Sequence, residues 1–352
     1  MLWAVLMAGG SGTRFWPESR RSHPKQFLKI FGDKTLLEAT AARLPGVIPA
    51  SRTIVITLKA KRAHTAKLLK KIPARNIFGE PVGRNTAPCA VLAAALIAKR
   101  DPDAVIALLP ADHRIEKGNA FRRALKDAAK IAAGTDYPVT FGIKPDSPHT
   151  GYGYLELGPR TGHVHRLQRF HEKPDLATAN RFLRSGRFLW NSGMFVWRAD
   201  ALLKAAEKFL PRAARLAKKI AAGKTQSGMD RHWPAMPNIS IDYGLMEKLG
   251  GRILAMPVQF GWSDVGGWQA LAALQVKDRP GTAGNVLLGN VLALESAGNM
   301  VKAGGRLVVL LGMKGHLVVD TDDALLICPK EKAESIRVIV RALEKKRLHR
   351  YL

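Results

Sequence analysis

Apolar runs alternate with helical patterns through the first half of the chain. Residues 3–7 are continuously apolar and predict a buried strand. The apolar run of residues 2–8 has no basic segment ahead of it and ends in glycines with Arg14 behind, which makes a poor signal peptide. Residues 35–44 predict a helix, with Thr35 as N-cap and Glu38 closing a capping box. Residues 52–57 predict a β-branched strand, followed by a Lys-rich helix through Lys70. Residues 87–100 predict an Ala-rich helix, 105–109 an apolar strand and 119–133 another helix. This order predicts an α/β fold: a mixed, mainly parallel sheet with helices on both faces.

The pattern then changes. Residues 152–157 and 164–170 predict antiparallel strands, 176–185 a helix, 194–197 an aromatic strand and 201–222 a strongly basic helix. A short helix at 241–249 and a strand at 252–257 follow. From about residue 281, Gly-Asn pairs at 284–285, 289–290 and 298–299 punctuate short apolar strands ending at 324–328. They predict a small β-rich, β-helix-like unit. In 331–348, Ile336, Ile339, Val340 and Leu343 fall at helical spacing and predict a terminal helix docked on the body. The expected division is a catalytic domain at 1–280, the β-rich unit at 281–330 and a C-terminal helix at 331–352.

Composition narrows the function classes. At 352 residues and 47% hydrophobic, the chain can bury a large core, which excludes general disorder. No apolar run reaches the ~18 residues of a membrane span. Two cysteines, Cys89 and Cys328, cannot form a disulfide framework and fit a reducing cytoplasm. Lys and Arg total 56 against 28 Asp and Glu, a formal charge of +28. That excess suits a polyanionic partner: nucleic acid, a membrane surface or a small phosphorylated substrate. It equally suits a solvated basic surface, and charge alone does not choose.

The first strand runs into Ala8-Gly9-Gly10-Ser11-Gly12-Thr13-Arg14. Glycines let a backbone approach a phosphate so that its N–H groups cradle the anion, and an Arg adds a forked cation. The loop is not a P-loop, because no Lys-Ser/Thr follows the last glycine, and not a dinucleotide fingerprint, because Phe15 stands where the third glycine belongs. Pro24-Lys25-Gln26-Phe27 follows within a dozen residues.

This stretch, from the strand through Arg14-x-x-Pro17 to Pro24-Lys25, closely resembles the signature of the sugar-phosphate nucleotidyltransferases. Further blocks occur in the matching order: Gly79-Glu80-Pro81-x-Gly83-Arg84-Asn85-Thr86, Pro110-Ala111-Asp112-His113, Phe170-His171-Glu172-Lys173-Pro174, Trp190-Asn191-Ser192-Gly193, Ser240-Ile241-Asp242-Tyr243 and Gly261-Trp262-Ser263-Asp264. Together, across residues 1–328, they resemble the mannose-1-phosphate guanylyltransferase branch of that family. The resemblance implies a Rossmann-like nucleotidyltransferase fold, GTP and mannose 1-phosphate as substrates, and GDP-mannose and pyrophosphate as products.

The resemblance also implies site residues. Arg14 and Lys25 would face the triphosphate, and Asp112 and Asp264 would hold Mg²⁺. Gly9, Gly10, Ser11, Gly12, Thr13, Glu80, Gly83, Asn85 and Thr86 would line the nucleotide. Gly153, Glu172, Lys173 and Asn191 would take the sugar phosphate, Asn191 through both donor and acceptor groups. Some enzymes of this kind carry a further isomerase domain, for which 352 residues leave no room, so a single activity is expected.

Blander readings remain for several residues. His163 and His165 share one strand face without further ligands grouped beside them, so a metal site there is not expected. Cys89 sits in an Ala-rich helix as a small buried residue. Three alternatives stay open: another hexose 1-phosphate or base; a basic nucleic-acid-binding protein, for which no finger or RNA-recognition motif is present; and an inactive paralogue. The expected partners are small molecules, with no specific nucleic acid and no membrane, and a homodimer is expected from the β-rich end and terminal helix.

Overall fold

The structure, a computed structural model, describes residues 1–10, 12–223, 225–277 and 283–352. The boundary expected at 280–281 lies outside them. The chain packs as two compact units that interleave along the sequence. The first comprises Met1–Gly9, Leu37–Ala111 and Ile115–Trp262; the second comprises Gly10–Leu36, Asp112–Arg114 and Ser263–Leu352. Gly9 therefore groups with the strand that leads into the glycine-rich loop, and Gly10 and Gly12 group with the C-terminal residues.

The strands in chain order are β1 (Leu2–Ala8), β2 (Thr53–Leu58), β3 (Ile77–Glu80), β4 (Val105–Pro110), β5 (Arg114–Ile115), β6 (Val139–Ile143), β7 (Tyr154–Thr161), β8 (Val164–His171), β9 (Phe188–Arg198), β10 (Leu254–Val258) and β11 (Trp262–Ser263). The first unit is built on a nine-stranded sheet in the order β3-β2-β1-β4-β9-β6-β10-β8-β7. β3, β2, β1 and β4 are parallel; β9 runs antiparallel to β4 and β6, and β7 and β8 form an antiparallel hairpin. Trp3, Val5 and Met7 enter one core with the helix Thr86–Ala98, while Ala4, Leu6 and Ala8 are equally buried from the opposite side of β1. Burial on both faces is why β1 reads as an unbroken apolar run.

Sequence expectations and structure part at several places. The helix expected over 201–222 is two helices, Ala199–Phe209 and Pro211–Ala222. Pro211 has no N–H to donate and bars its predecessor from the α region, so Leu210 stands at φ −138°, ψ 54°. The strand expected at 194–197 extends over all of β9. β3, β6 and the helices Thr225–His232 and Trp268–Lys277 have no counterpart among the expected elements. The helix expected over 241–249 opens with a π turn, Asp242–Met246, in which the Glu247 N–H donates to the Asp242 carbonyl.

In the second unit, β12 (Val286–Leu288), β13 (Val291–Leu294), β14 (Met300–Lys302), β15 (Val308–Leu311), β16 (His316–Asp320) and β17 (Leu325–Pro329) follow. β12, β14 and β16 stack in parallel, as do β13 and β15, so the chain winds in coils. Gly284, Gly298 and Gly315 turn the same corner of successive coils with φ of 71°, 65° and 67°. Asn299 links the coils: its side-chain N–H₂ donates to the Asn285 side-chain oxygen (3.0 Å) and its own oxygen accepts from the His316 N–H (2.8 Å). Those partners lie 14 and 17 residues from Asn299, so successive coils differ in length. The terminal helix Ile336–Lys345 docks as expected. Ile336 is buried with Phe15, Trp16 and Trp268, and Ile339, Val340 and Leu343 pack on the same core.

Candidate active site

Each unit carries its own cluster of polar side chains. In the second unit, Gly12 (φ 59°) leads into the tight turn Thr13–Phe15. A Cβ at Gly12 would stand 2.3 Å from the Lys25 Cβ, so only glycine lets the loop close over this lysine. Lys25 is 6% exposed. Its ammonium donates to Asp112 Oδ2 (2.8 Å) and to the Asp264 carbonyl (2.7 Å), and lies 5.9 Å from the centre of the Phe15 ring. Burial works to raise the Asp112 carboxyl. The charge and hydrogen bond of Lys25, together with His113 and a backbone N–H, overcome that and hold it below the usual carboxylate range.

Asp264 and Arg14 meet at Gly266. A Cβ there would lie 2.9 Å from Asp264 Oδ2 and 3.1 Å from an Arg14 guanidinium nitrogen. Between them in sequence, fully buried Val265 is held at φ 46°. That conformation is costly for a β-branched residue and is characteristic of functional loops. The structure thus brings Gly12, Lys25, Asp112 and the Asp264 carbonyl together, with Arg14 and the Asp264 carboxylate both beside Gly266 and Thr13 in the same turn as Arg14. Gly10 stands at φ 93° with open space about its Cα. Ser11 lies outside the described residues.

The first unit holds the residues expected to face the sugar. A Cβ at Gly153 would fall 2.6 Å from Glu172 Oε2 and 3.4 Å from the Asn191 Cβ, so these three are in direct contact. Lys173, at φ 46°, donates to Glu172 Oε1 (2.6 Å). Burial works to lower the Lys173 ammonium, but Glu172, Asp242 and Tyr243 together raise it. The Asn191 amide is largely engaged within the protein. Its oxygen accepts from the Gly193 N–H (3.2 Å) and lies 3.1 Å from the Thr140 hydroxyl, and its nitrogen donates to Asp242 Oδ1 (3.0 Å). One amide N–H remains, so Asn191 offers a donor rather than the donor-and-acceptor pair expected from its side chain.

Asp242 and Thr140 are members of this cluster to which sequence reasoning gave no role. Asp242 lay in a motif already noted, Ser240-Ile241-Asp242-Tyr243, which was the available signal. Thr140 lies on the unanticipated strand β6 and had none. Burial first, then the neighbouring charge of Glu172, raises the Asp242 carboxyl to about 6, against the pull of Lys173 and Asn191.

The remaining nucleotide-side residues are also in the first unit. Glu80 ends β3, is 4% exposed, and lies 3.5 Å from where a Gly9 Cβ would stand. Burial raises its carboxyl to about 8. Asn85, at φ 65°, caps the helix Thr86–Ala98 through its side chain (2.9 Å), and the Thr86 hydroxyl accepts from the Ile241 N–H (2.9 Å). Those two side chains therefore hold the loop in place, and Gly83 is exposed beside them. Burial pushes the Cys89 thiol well up, aided by the charge of Glu80, and keeps it from serving as a nucleophile. Among the described residues no three His, Cys, Asp or Glu side chains form a metal-binding group, His163 and His165 included.

Residues 3–280 match the nucleotidyl transferase family, and residues 289–343 match the mannose-phosphate isomerase/GMP-like β-helix domain. The chain belongs to the nucleotidyl transferase family. This nucleotidyltransferase is 39% identical over 347 residues to the xanthan biosynthesis protein XanB of Xanthomonas campestris pv. campestris, covering 97% of this chain and 73% of that one. It is 36% identical over 367 residues to mannose-1-phosphate guanylyltransferase 2 of Escherichia coli O157:H7, covering 99% and 75%. Its fold matches a Thermus thermophilus crystal structure described as mannose-1-phosphate geranyltransferase, with a TM-score of 0.87 and 35% identity over 97% of this chain and 99% of that one.

Proposed function

We propose that the chain transfers a guanylyl group from GTP to α-D-mannose 1-phosphate, giving GDP-mannose and pyrophosphate. The observation that carries this reading is the linked set Arg14, Lys25, Asp112 and Asp264. Lys25 pairs with the Asp112 carboxylate and holds the Asp264 carbonyl, and Arg14 and the Asp264 carboxylate both stand beside Gly266; such a gathering of cations and carboxylates suits phosphoryl-group chemistry, which rests on positioning and charge neutralisation. A phosphate oxygen of mannose 1-phosphate attacks the α-phosphorus, and the bond from the α-phosphorus to the bridging oxygen breaks. Pyrophosphate leaves with that electron pair. Arg14 and Lys25 offset the charge on the departing group.

Asp112 and Asp264 fit Mg²⁺ as its two protein ligands, because Lys25 keeps Asp112 ionised and Mg²⁺ takes few protein carboxylates beside phosphate oxygens and water. When bound, the ion neutralises phosphate charge. Glu172 accepts from sugar hydroxyls, Asn191 and Gly153 shape the hexose side, and Lys173 meets the sugar phosphate. Glu80 and Gly9 serve the base and ribose. The guanine and mannose assignments are supported by the name of the Escherichia coli relative.

The reading includes a homodimer and a cytoplasmic location. Exposed Leu292 and Leu294 on β13 pair in register with exposed Val309 and Leu311 on β15, an uncharged strip on a chain of charge +28 that suits a second copy. Both cysteines are free thiols, and no helix among the described residues is long and apolar enough to cross a membrane.

The deciding assay is pyrophosphate release across the four ribonucleoside triphosphates and dTTP, with mannose 1-phosphate and glucose 1-phosphate. GTP with mannose 1-phosphate should dominate. A requirement for UTP or dTTP with glucose 1-phosphate would sink the reading.

A further inference from the structure

The C-terminal helix Ile336–Lys345 brings charge to the glycine-rich loop. It packs against the Thr13–Phe15 turn, with Ile336 buried beside Phe15 and Trp16. The loop is tied to the chain end beyond that helix as well: the Trp16 indole N–H donates to the Tyr351 carbonyl (2.7 Å), and Arg20 donates to the same oxygen. Helix and loop are therefore held in fixed register. Glu334 lies in the 3₁₀ segment Lys330–Ser335 just ahead of the helix, and Arg337 and Arg341, four residues apart, share one side of the helix. A Cβ at Gly267 would lie 3.6 Å from the Arg14 Cβ and 3.9 Å from Glu334 Oε1, so the start of the helix comes down beside Arg14. Partial burial, then the charge of Arg14, hold the Arg337 guanidinium below its ordinary value; Glu334 opposes this and Arg341 adds to it. The two like charges repel, and a polyanion relieves the repulsion.

We propose that Arg337 is a phosphate-binding residue that works with Arg14 as a two-guanidinium clamp on the β- and γ-phosphates and on the departing pyrophosphate. This rests on the nucleotidyl-transfer reading above. It makes the terminal helix part of the active site rather than a packing element. Glu334 tempers the clamp, weakening its hold so that product can leave.

The test measures binding of inorganic pyrophosphate with Mg²⁺ by calorimetry, beside steady-state kinetics. Arg337 is exposed, so Arg337→Ala should fold normally. It should weaken pyrophosphate binding and raise KM for the triphosphate by about tenfold, the loss of one charged hydrogen-bonding group. KM for the sugar phosphate should stay within about twofold. Arg337→Lys should fall between, and Glu334→Gln should tighten pyrophosphate. Arg337→Ala that binds pyrophosphate within about twofold of the parent overturns the proposal, as does a Glu334→Gln variant that binds it more weakly. Pyrophosphate carries neither base nor sugar. A substrate panel that returns another base or sugar therefore defeats the guanylyl reading without touching this result.

Discussion

Replacing Lys25 with Met removes one ammonium and keeps a stem of similar length over the Phe15 ring. Two contacts are lost, to Asp112 Oδ2 at 2.8 Å and to the Asp264 carbonyl at 2.7 Å. Hydrogen bonds from a charged donor contribute about 1.5–3 kcal/mol each. The Asp112 side chain is 35% exposed, so water takes over part of its lost partner. The two bonds together would be worth about 3–6 kcal/mol, and with water compensating Asp112 the expected stability loss falls at or just below the low end, roughly 2–4 kcal/mol. Turnover should fall further, by about 10²–10³, the usual cost of removing one group that stabilises developing charge.

The pH dependence follows from Asp112. Its carboxyl is depressed in the folded protein, so its stabilising contribution is present above the unfolded value near 4 and is lost as pH falls through the folded value. Lys25→Met removes the largest depressing influence. The stability gap between parent and variant should therefore be widest above about pH 5 and close in acid. Urea unfolding followed by the fluorescence of Trp16 and Trp268 reports stability, and pyrophosphate release reports turnover. A variant with the parent's unfolding midpoint and turnover at pH 7 would refute the claim that Lys25 organises this cluster.

Asp264→Asn should lower turnover at least about a hundredfold while the far-ultraviolet dichroism stays unchanged, since its carboxylate, beside Arg14, serves charge neutralisation. Near-parent Mg²⁺-dependent rates would remove it from the metal site. Asp242 has a raised carboxyl, so the folded state binds its proton more tightly; its own contribution to stability is greatest below about pH 4 and falls as pH rises through about 6. Asp242→Asn keeps the bond from Asn191, so it should raise stability at pH 8 by about 2–3 kcal/mol and flatten the dependence of the sugar-phosphate KM on pH between 5 and 7. An unchanged profile would contradict the burial cost assigned to it. In the coils, Asn299→Ala leaves the Asn285 oxygen, the Met313 carbonyl and the His316 N–H without that side chain, for an expected loss of about 2–4 kcal/mol in thermal or urea unfolding.

Local pattern and local chemistry made most of the fold legible. β1 and β4 are apolar runs because both faces of a central strand are buried, and the helix Leu176–Ser185 stands where Asp175 caps it and Gly186 ends it. β6 escaped notice because Thr140 and Gly142 interrupt its apolar pattern; their places are justified only by neighbours. Thr140 holds the Asn191 amide, and a Cβ at Gly142 would strike the Leu189 side chain at 2.5 Å. The glycines at 12, 153 and 266 could be read as a motif, but not the reason for each, which is a side chain from elsewhere in the chain pressing on the missing Cβ.

The sequence by itself determined the α/β order, the coiled C-terminal unit, the docking face of the last helix and the residue types for phosphate chemistry. These follow from periodicity and from what each side chain can do alone. The tertiary structure decided which groups meet and what charge they carry. Lys25 joins Asp112 and the Asp264 loop, Asn191 turns its amide toward Asp242, Glu80 is pushed to about 8, and residues 10–36 pack with the C-terminal half of the second unit. Those outcomes depend on contacts between positions up to hundreds of residues apart and on burial, and neither is a property of any short stretch of chain.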